Sequence, residues 1–145
     1  MSPDILFQFS SPLALFGWAA LLAAPLAPAL ADRVAGLVVP ALLSVAYAAL
    51  ILAFWWDAPG GFDSLAAVQA LFTDPRIALA GWLHYLAFDL LVGAWEVRTA
   101  RREGFPYLLL VPCLVLTFLF GPAGFLAFLG LRLARRATRP MEATR

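Results

Sequence analysis

Residues 77 to 97 read IALAGWLHYLAFDLLVGAWEV, an apolar run that holds the only histidine, His84, together with Asp89 and Glu96. A bilayer's hydrocarbon core is matched by about 20 apolar residues in a helix. An ionisable side chain inside such a span is costly and marks the first place to look for function. No other strongly hydrophobic stretch of this chain has an acid near its middle.

The surrounding composition agrees with a membrane setting. Of 145 residues 63% are hydrophobic and only 13% charged, with mean hydropathy +0.88. Soluble domains are about 45–50% apolar, and the excess here lies in helix-length runs. The fold class expected is all-α: a polytopic membrane protein with a four-transmembrane-helix bundle and a short amphipathic or re-entrant helix between helices 2 and 3. Residues 1–135 are expected to form a single integral membrane domain, and 136–145 a disordered polar tail. The ten basic residues are all arginine, and seven of them cluster at 98 to 102 and 132 to 139, which favours headgroup contact over nucleic acid. The single cysteine, Cys113, excludes an internal disulfide and reads as core.

Helix 1 is expected from Pro12 to Leu30, a retained helix rather than a signal peptide because no positive charge precedes it. Ser10 and Ser11 would cap it, and Asp32-Arg33 would connect it to helix 2, Val34 to Trp56. Asp63 to Phe72 is the short helix, too short to span. Helix 3 starts after Asp74-Pro75 and ends in arginine. Helix 4 runs from Pro106 to Leu131, about 39 Å if straight, with a weak point at Phe120-Gly121-Pro122-Ala123-Gly124. Four full spans, with both termini inside, are expected; a hairpin at Gly121-Pro122 would instead put both arginine clusters on one side.

At 100° per residue, Tyr85, Asp89 and Glu96 fall within about 40° of one another, whereas His84 lies about 140° from Asp89. His84, Asp89 and Tyr85 are the candidate acid–base groups. Asp89 has competing structural readings, a packing hydrogen bond to Ser44, Tyr47 or Thr117. Glu96 is expected near headgroup level, paired with Arg98, Arg101 or Arg102. Trp82, Phe88, Trp95, Tyr47 and Trp55, with Ser44 and Thr117, are candidate ligand contacts, or ordinary interfacial and core residues. One histidine and two acids are too few for zinc or diiron, so no metal is expected. No nucleotide-binding, dinucleotide-binding or nucleic-acid motif occurs in the sequence.

The segments Trp82-Leu83-His84-Tyr85-Leu86-Ala87-Phe88-Asp89-Leu90-Leu91-Val92-Gly93, Arg101-Arg102-Glu103-Gly104 and Pro112 to Gly124 (PCLVLTFLFGPAG) resemble the abscisic-acid-deficient-like membrane family. Its plant members are chloroplast membrane proteins required to make neoxanthin from violaxanthin. The resemblance implies a small membrane protein that acts on, or helps others act on, a carotenoid or other isoprenoid lipid. Opening an epoxide to an allenic alcohol is an isomerisation needing an acid and a base and no redox cofactor, roles that His84 and Asp89 would fill. The Ala, Leu and Arg bias, with no plastid transit peptide, points to a bacterial inner membrane and multi-pass topology. Two other readings stand beside this one: a small proton-coupled transporter, which would call for a homodimer, and a non-catalytic assembly partner in a membrane complex.

Overall fold

The computed structural model describes residues 3–138, and every regular element among them is helical. Three helical stretches are long and apolar enough to cross a membrane: Pro3–Leu22, Pro28–Asp57 and Pro75–Arg102. We number the α-helices α1 (Pro3–Leu22), α2 (Pro28–Arg33), α3 (Val39–Phe54), α4 (Leu65–Leu71), α5 (Pro75–Arg102), α6 (Tyr107–Phe120) and α7 (Pro122–Thr138).

The first helix begins nine residues earlier than its sequence suggests and carries Pro12 in its interior. Ser10 does not cap it; its hydroxyl donates to the Phe7 carbonyl at 2.9 Å, a back-bond that occupies a carbonyl near the proline break. The Ala23–Ala27 turn ends the first span before Pro28, whose fixed φ suits a first helical turn. Asp32 and Arg33 are therefore helical, not a connection. The second span runs through α2, a π-helical turn at Val34–Val38, α3 and a 3-10 turn at Trp55–Asp57. The π-turn is closed by the Val39 amide on the Val34 carbonyl. It lies just ahead of Pro40, where a proline lacking its N–H disturbs the α ladder.

The loop helix α4 is capped by Ser64, whose hydroxyl oxygen accepts from the Ala67 amide at 3.1 Å. α5 starts where its sequence says it should. Asp74 caps it, accepting from the Arg76 amide at 2.8 Å, and Pro75 follows. The Arg76 guanidinium, 2.5 Å from Asp74, holds that carboxyl down at about 2.

α5 is the centre of the bundle, with Leu83, Ala87, Leu90 and Ala94 all nearly inaccessible. α1 runs parallel to it: Phe7 meets Trp82 near one end, and Trp18 and Leu21 meet Gly93 nearer the other. α3 runs antiparallel, with Arg76 over Phe54 at one end and Arg98 near Asp32 at the other. A Cβ on Gly17 would lie 2.5 Å from Leu90, and one on Gly93 would lie 2.8 Å from Trp18. Small residues thus set the close approach of α1 to α5.

The expected fourth span does not form. α6 stops at Phe120, Gly121 takes φ +40°, and Pro122 opens α7 in a new direction. Proline cannot donate the next helical bond and clashes with the preceding turn, while glycine accepts the left-handed φ. The arms then fold back on each other: a Cβ on Gly124 would collide with the Thr117 backbone nitrogen. Trp95 packs on Phe125 and Phe128 of α7, and Phe105 also meets Phe128. Glu103 accepts hydrogen bonds from Arg132 and, at 2.7 Å, from Arg136. The result is a helical hairpin that enters beside α5 and returns to the same end. Both arginine clusters share that end, where α7 finishes, whereas α1 starts at the opposite end, so the two termini are not expected on one side. α7 also continues to Thr138, past the boundary expected at 136; the remainder of the expected tail, with Arg139, lies outside the described residues.

Two measurements test the hairpin. A Cβ added at Gly130 would meet no described atom within 4 Å, so Gly130→Ala should be neutral or stabilise by about 0.5–1 kcal/mol through helix propensity. Gly124→Ala should instead lower the melting temperature in detergent, with overpacking worth about 1–3 kcal/mol. The Arg132 hydrogen bond first, and Arg136 with it, holds the Glu103 carboxyl at about 2 against an ordinary 4.5. Its folded value is depressed, so its contribution is complete above 4.5 and fades as pH falls toward about 2. Hydrogen exchange in α7 should rise over that acid window in the wild type and lose that step in Glu103→Gln.

Candidate functional site

Every seventh residue from Asp89 along α5 is an acid: Asp89, Glu96, Glu103. Seven residues are nearly two helical turns, so the three lie on one face about 10.5 Å apart. That face looks at the hairpin. Glu103 binds its arginines at the entrance, Glu96 meets Thr117 midway, and Asp89 meets Gly121 at the tip.

Glu96 is 0% exposed. The buried Thr117 hydroxyl lies 3.0 and 3.2 Å from its two carboxyl oxygens, and no arginine among the described residues reaches it. The expected headgroup-level ion pair therefore does not form. Closeness to Arg98 in sequence conceals that the two point to opposite sides: Arg98 turns to Asp32, at 3.8 Å, and Glu96 turns inward to the hairpin.

Asp89 sits close to the middle of α5, about 20 Å from either end. A Cβ on Gly121 would fall 2.6 Å from Asp89 Oδ1, so only glycine lets the tip come this close. The Tyr85 hydroxyl, one turn earlier, donates to the Phe118 and Leu119 carbonyls at 3.2 Å each and also engages the Asp89 carboxyl. These carbonyls belong to the last turn of α6, which has no helical donors of its own. Asp89 Oδ2 is buried and has no hydrogen-bond partner among the described residues. None of Ser44, Tyr47 and Thr117 supplies one; Ser44 is exposed on α3, and Thr117 is bound to Glu96.

His84 belongs to a different surface. It stacks on Phe88 at 4.4 Å and faces Tyr47 of α3 at 5.7 Å between ring centroids. With Tyr47, Ile51, Trp55, Phe62 and Phe72 it lines a cavity of about 310 Å³ between α3, α5 and the loop helix. Trp55 stacks on Phe62 there. The helical wheel separates His84 from Asp89, and the bundle keeps them apart: Asp89 turns to the hairpin, and His84 stays exposed beside Tyr47 of α3.

Trp82 does join the Asp89 side, stacked on Tyr85 at 5.4 Å. Because the hairpin ends at Gly121, neither α6 nor α7 covers α5 beyond Tyr85. A shallow apolar groove of about 350 Å³ follows, lined by Phe72, Ala78, Gly81, Trp82 and Tyr85. On the other flank a cavity of about 270 Å³ lies between α1 and α6, with Trp18 and Phe118 in its wall. The sequence-predicted residues thus divide three ways: Trp82, Tyr85 and Asp89 at the tip; Tyr47, Trp55, His84 and Phe88 on the α3 side; Trp95 and Thr117 against the hairpin arms. Gly121 reads from sequence as a helix breaker and a small position for close helix contact, but the sequence does not name Asp89 as the group it approaches. No group of three or more metal-ligating side chains occurs among the described residues.

The chain belongs to the ABA4-like family (ABA DEFICIENT 4-like), whose model matches residues 5–128. That span takes in the three long apolar stretches, save the first two residues of Pro3–Leu22, and the hairpin through Phe128. No curated protein and no solved structure matches the chain.

Thr117→Val tests how the hairpin is seated. It leaves a buried carboxyl without its donor, which costs about 1–3 kcal/mol, and should lower the melting temperature in detergent accordingly. Adding Glu96→Leu should recover part of that loss, because the orphaned acid is then gone. Equal, additive losses from the two substitutions would show that the Glu96–Thr117 contact contributes nothing.

Proposed function

We propose that this ABA4-like protein is a multi-pass protein of a bacterial inner membrane that binds an oxygenated isoprenoid lipid of carotenoid type. Its oxygen sits at Asp89, and the protein isomerises it there without a cofactor. The observation that supports this most directly is the Asp89 carboxyl itself. It lies near the middle of the longest α-helix, with one oxygen unpartnered among the described residues, one turn along α5 from Tyr85, which lines the end of an apolar groove. A polar group in that setting is retained only where it does something or is satisfied by what binds. The family resemblance supplies the lipid class; the site supplies the residue.

The chemistry asked of the site is modest. Asp89 delivers a proton to an epoxide oxygen as its C–O bond breaks, and the resulting carboxylate takes a carbon-bound proton as the new C=C bond forms. Protons and electrons balance, and the product is an isomer of the substrate. Tyr85 ties the carboxyl to the hairpin tip through the Phe118 and Leu119 carbonyls, so it is a positioning residue. His84, facing Tyr47 instead, is not the partner of Asp89 in this reading. The groove along Trp82 and Phe72 accommodates part of the polyene.

The test is mass spectrometry of organic extracts from protein purified in mild detergent out of a pigment-producing host. The wild type should carry an oxygenated polyene and convert it to an isomer of equal mass. Asp89→Asn, folded, should lose about 10²–10⁴-fold in turnover, the usual worth of a positioned acid–base group. Tyr85→Phe should lose less, and His84→Ala least. Bulk phospholipid alone in the extracts, or full turnover in Asp89→Asn, would overturn the reading.

A further inference from the structure

Folding the hairpin back has a consequence for charge. Arg132, Arg135 and Arg136 return to the end of the bundle that already holds Arg33, Arg98, Arg101 and Arg102. Against these seven arginines stand two acids, Asp32 and Glu103, a net of +5 among the described residues. Asp32 draws Arg98 and Arg101, at 3.8 and 3.3 Å, and Glu103 draws Arg132 and Arg136. Arg135 lies over the Phe105 ring, 4.8 Å from its centroid. Arg33 and Arg102 have no acid within reach among the described residues, and Arg102 is exposed. At the opposite end Asp4, Asp57, Asp63 and Asp74 face a single Arg76, a net of −3 among the described residues.

We propose that the arginine end is a seat for anionic phospholipid headgroups and lies in the cytoplasmic leaflet, which sets the α1 N-terminus outside. The two ends differ in charge by more than their immediate ion pairs can neutralise. The guanidinium groups crowd the level where the spans meet headgroups, and arginine's planar fork suits phosphate oxygens. A polybasic juxtamembrane cluster is attracted to an anionic leaflet, and arginine-rich short connections are retained in the cytoplasm. This assignment is independent of any lipid chemistry at Asp89.

Native mass spectrometry of protein released from phosphatidylcholine vesicles with and without phosphatidylglycerol tests the seat. Phosphatidylglycerol should be retained preferentially, and the preference should fall as salt rises. Arg33→Gln with Arg102→Gln removes charges that hold no ion pair among the described residues, so the fold survives; the preference should drop about five-fold for each arginine. Retention of both lipids in proportion to their abundance by the wild type would overturn the proposal. So would an unchanged preference in the double variant. Orientation is read from Asp63→Cys and Thr138→Cys with a membrane-impermeant maleimide, since the native Cys113 is buried and silent. Labelling of Asp63→Cys in intact cells, and of Thr138→Cys only after lysis, is expected. The reverse pattern overturns it.

Discussion

The contact on which the bundle depends is the one between the acidic face of α5 and the α6–α7 hairpin. In a bilayer, backbone groups at a helix break have no water to bind and must be satisfied by protein. A break at Gly121 is therefore expensive unless something receives it. Tyr85 receives the free carbonyls of Phe118 and Leu119, Thr117 receives Glu96, and Glu103 receives the arginines of α7. Each level of the hairpin is tied to α5 by a polar contact, and Asp89 stands at the level where backbone turns. Hydrophobic burial alone would not fix the depth of two short apolar helices, because lipid tails receive their outer faces as readily as protein does. Polar contacts spaced at heptad intervals do fix it.

Glu96 shows the same logic in its most demanding form. A carboxyl removed from solvent costs free energy that one hydroxyl hydrogen bond recovers only in part. Its value to the fold is specificity: slipping α6 by one turn would separate Thr117 from Glu96, pull Gly121 off Asp89 and break the arginine contacts at Glu103. One register seats all three acids at once: Glu96 on Thr117, Glu103 on its arginines and Asp89 against Gly121. Gly124 enforces it from inside the hairpin, since a larger residue would push α7 away from Thr117.

Much of this is legible in the sequence, and the illegible parts share a cause. Local patterns read correctly: the Asp74-Pro75 start of α5, its arginine end, the short loop helix, and the division of His84 from Asp89 by helical angle. Each depends on residues within a few turns of one another. The start of α1 misleads because Pro12, a usual opener, sits inside a helix whose first turns Ile5, Leu6, Phe7 and Phe9 sustain. The merger of Asp32-Arg33 into the second span is hidden because two charges look like a connection until Arg98 and Arg101 are placed beside Asp32. The hairpin is visible as a weak point, yet length argues for a fourth span. What decides is Gly124 against Thr117 and Glu103 against Arg132, contacts whose partners are 7 and 29 residues apart. Glu96 misleads for the same reason; its neighbours in sequence are arginines and its neighbour in space is a threonine 21 residues away.

A span that turns back at half depth also dictates where a ligand can approach. Below Gly121 the acidic face of α5 is sealed by the two arms. Above it the same face is open, flanked by Trp82 and Phe72 and covered by neither arm. On the proposed reading, a lipid lying in the groove of Phe72, Trp82 and Tyr85 approaches Asp89 from the half of the bilayer opposite the arginines. To do so it must bring an oxygen about 20 Å down from the Pro75 end of α5, leaving interfacial water behind. A hydroxyl loses both a donor and an acceptor contact on that path, whereas an epoxide or ether oxygen loses only acceptor contacts and regains one from a single donor. On the proposed reading, the depth of the carboxyl selects for acceptor-only oxygens on long apolar chains, and the broken helix creates both the depth and the opening.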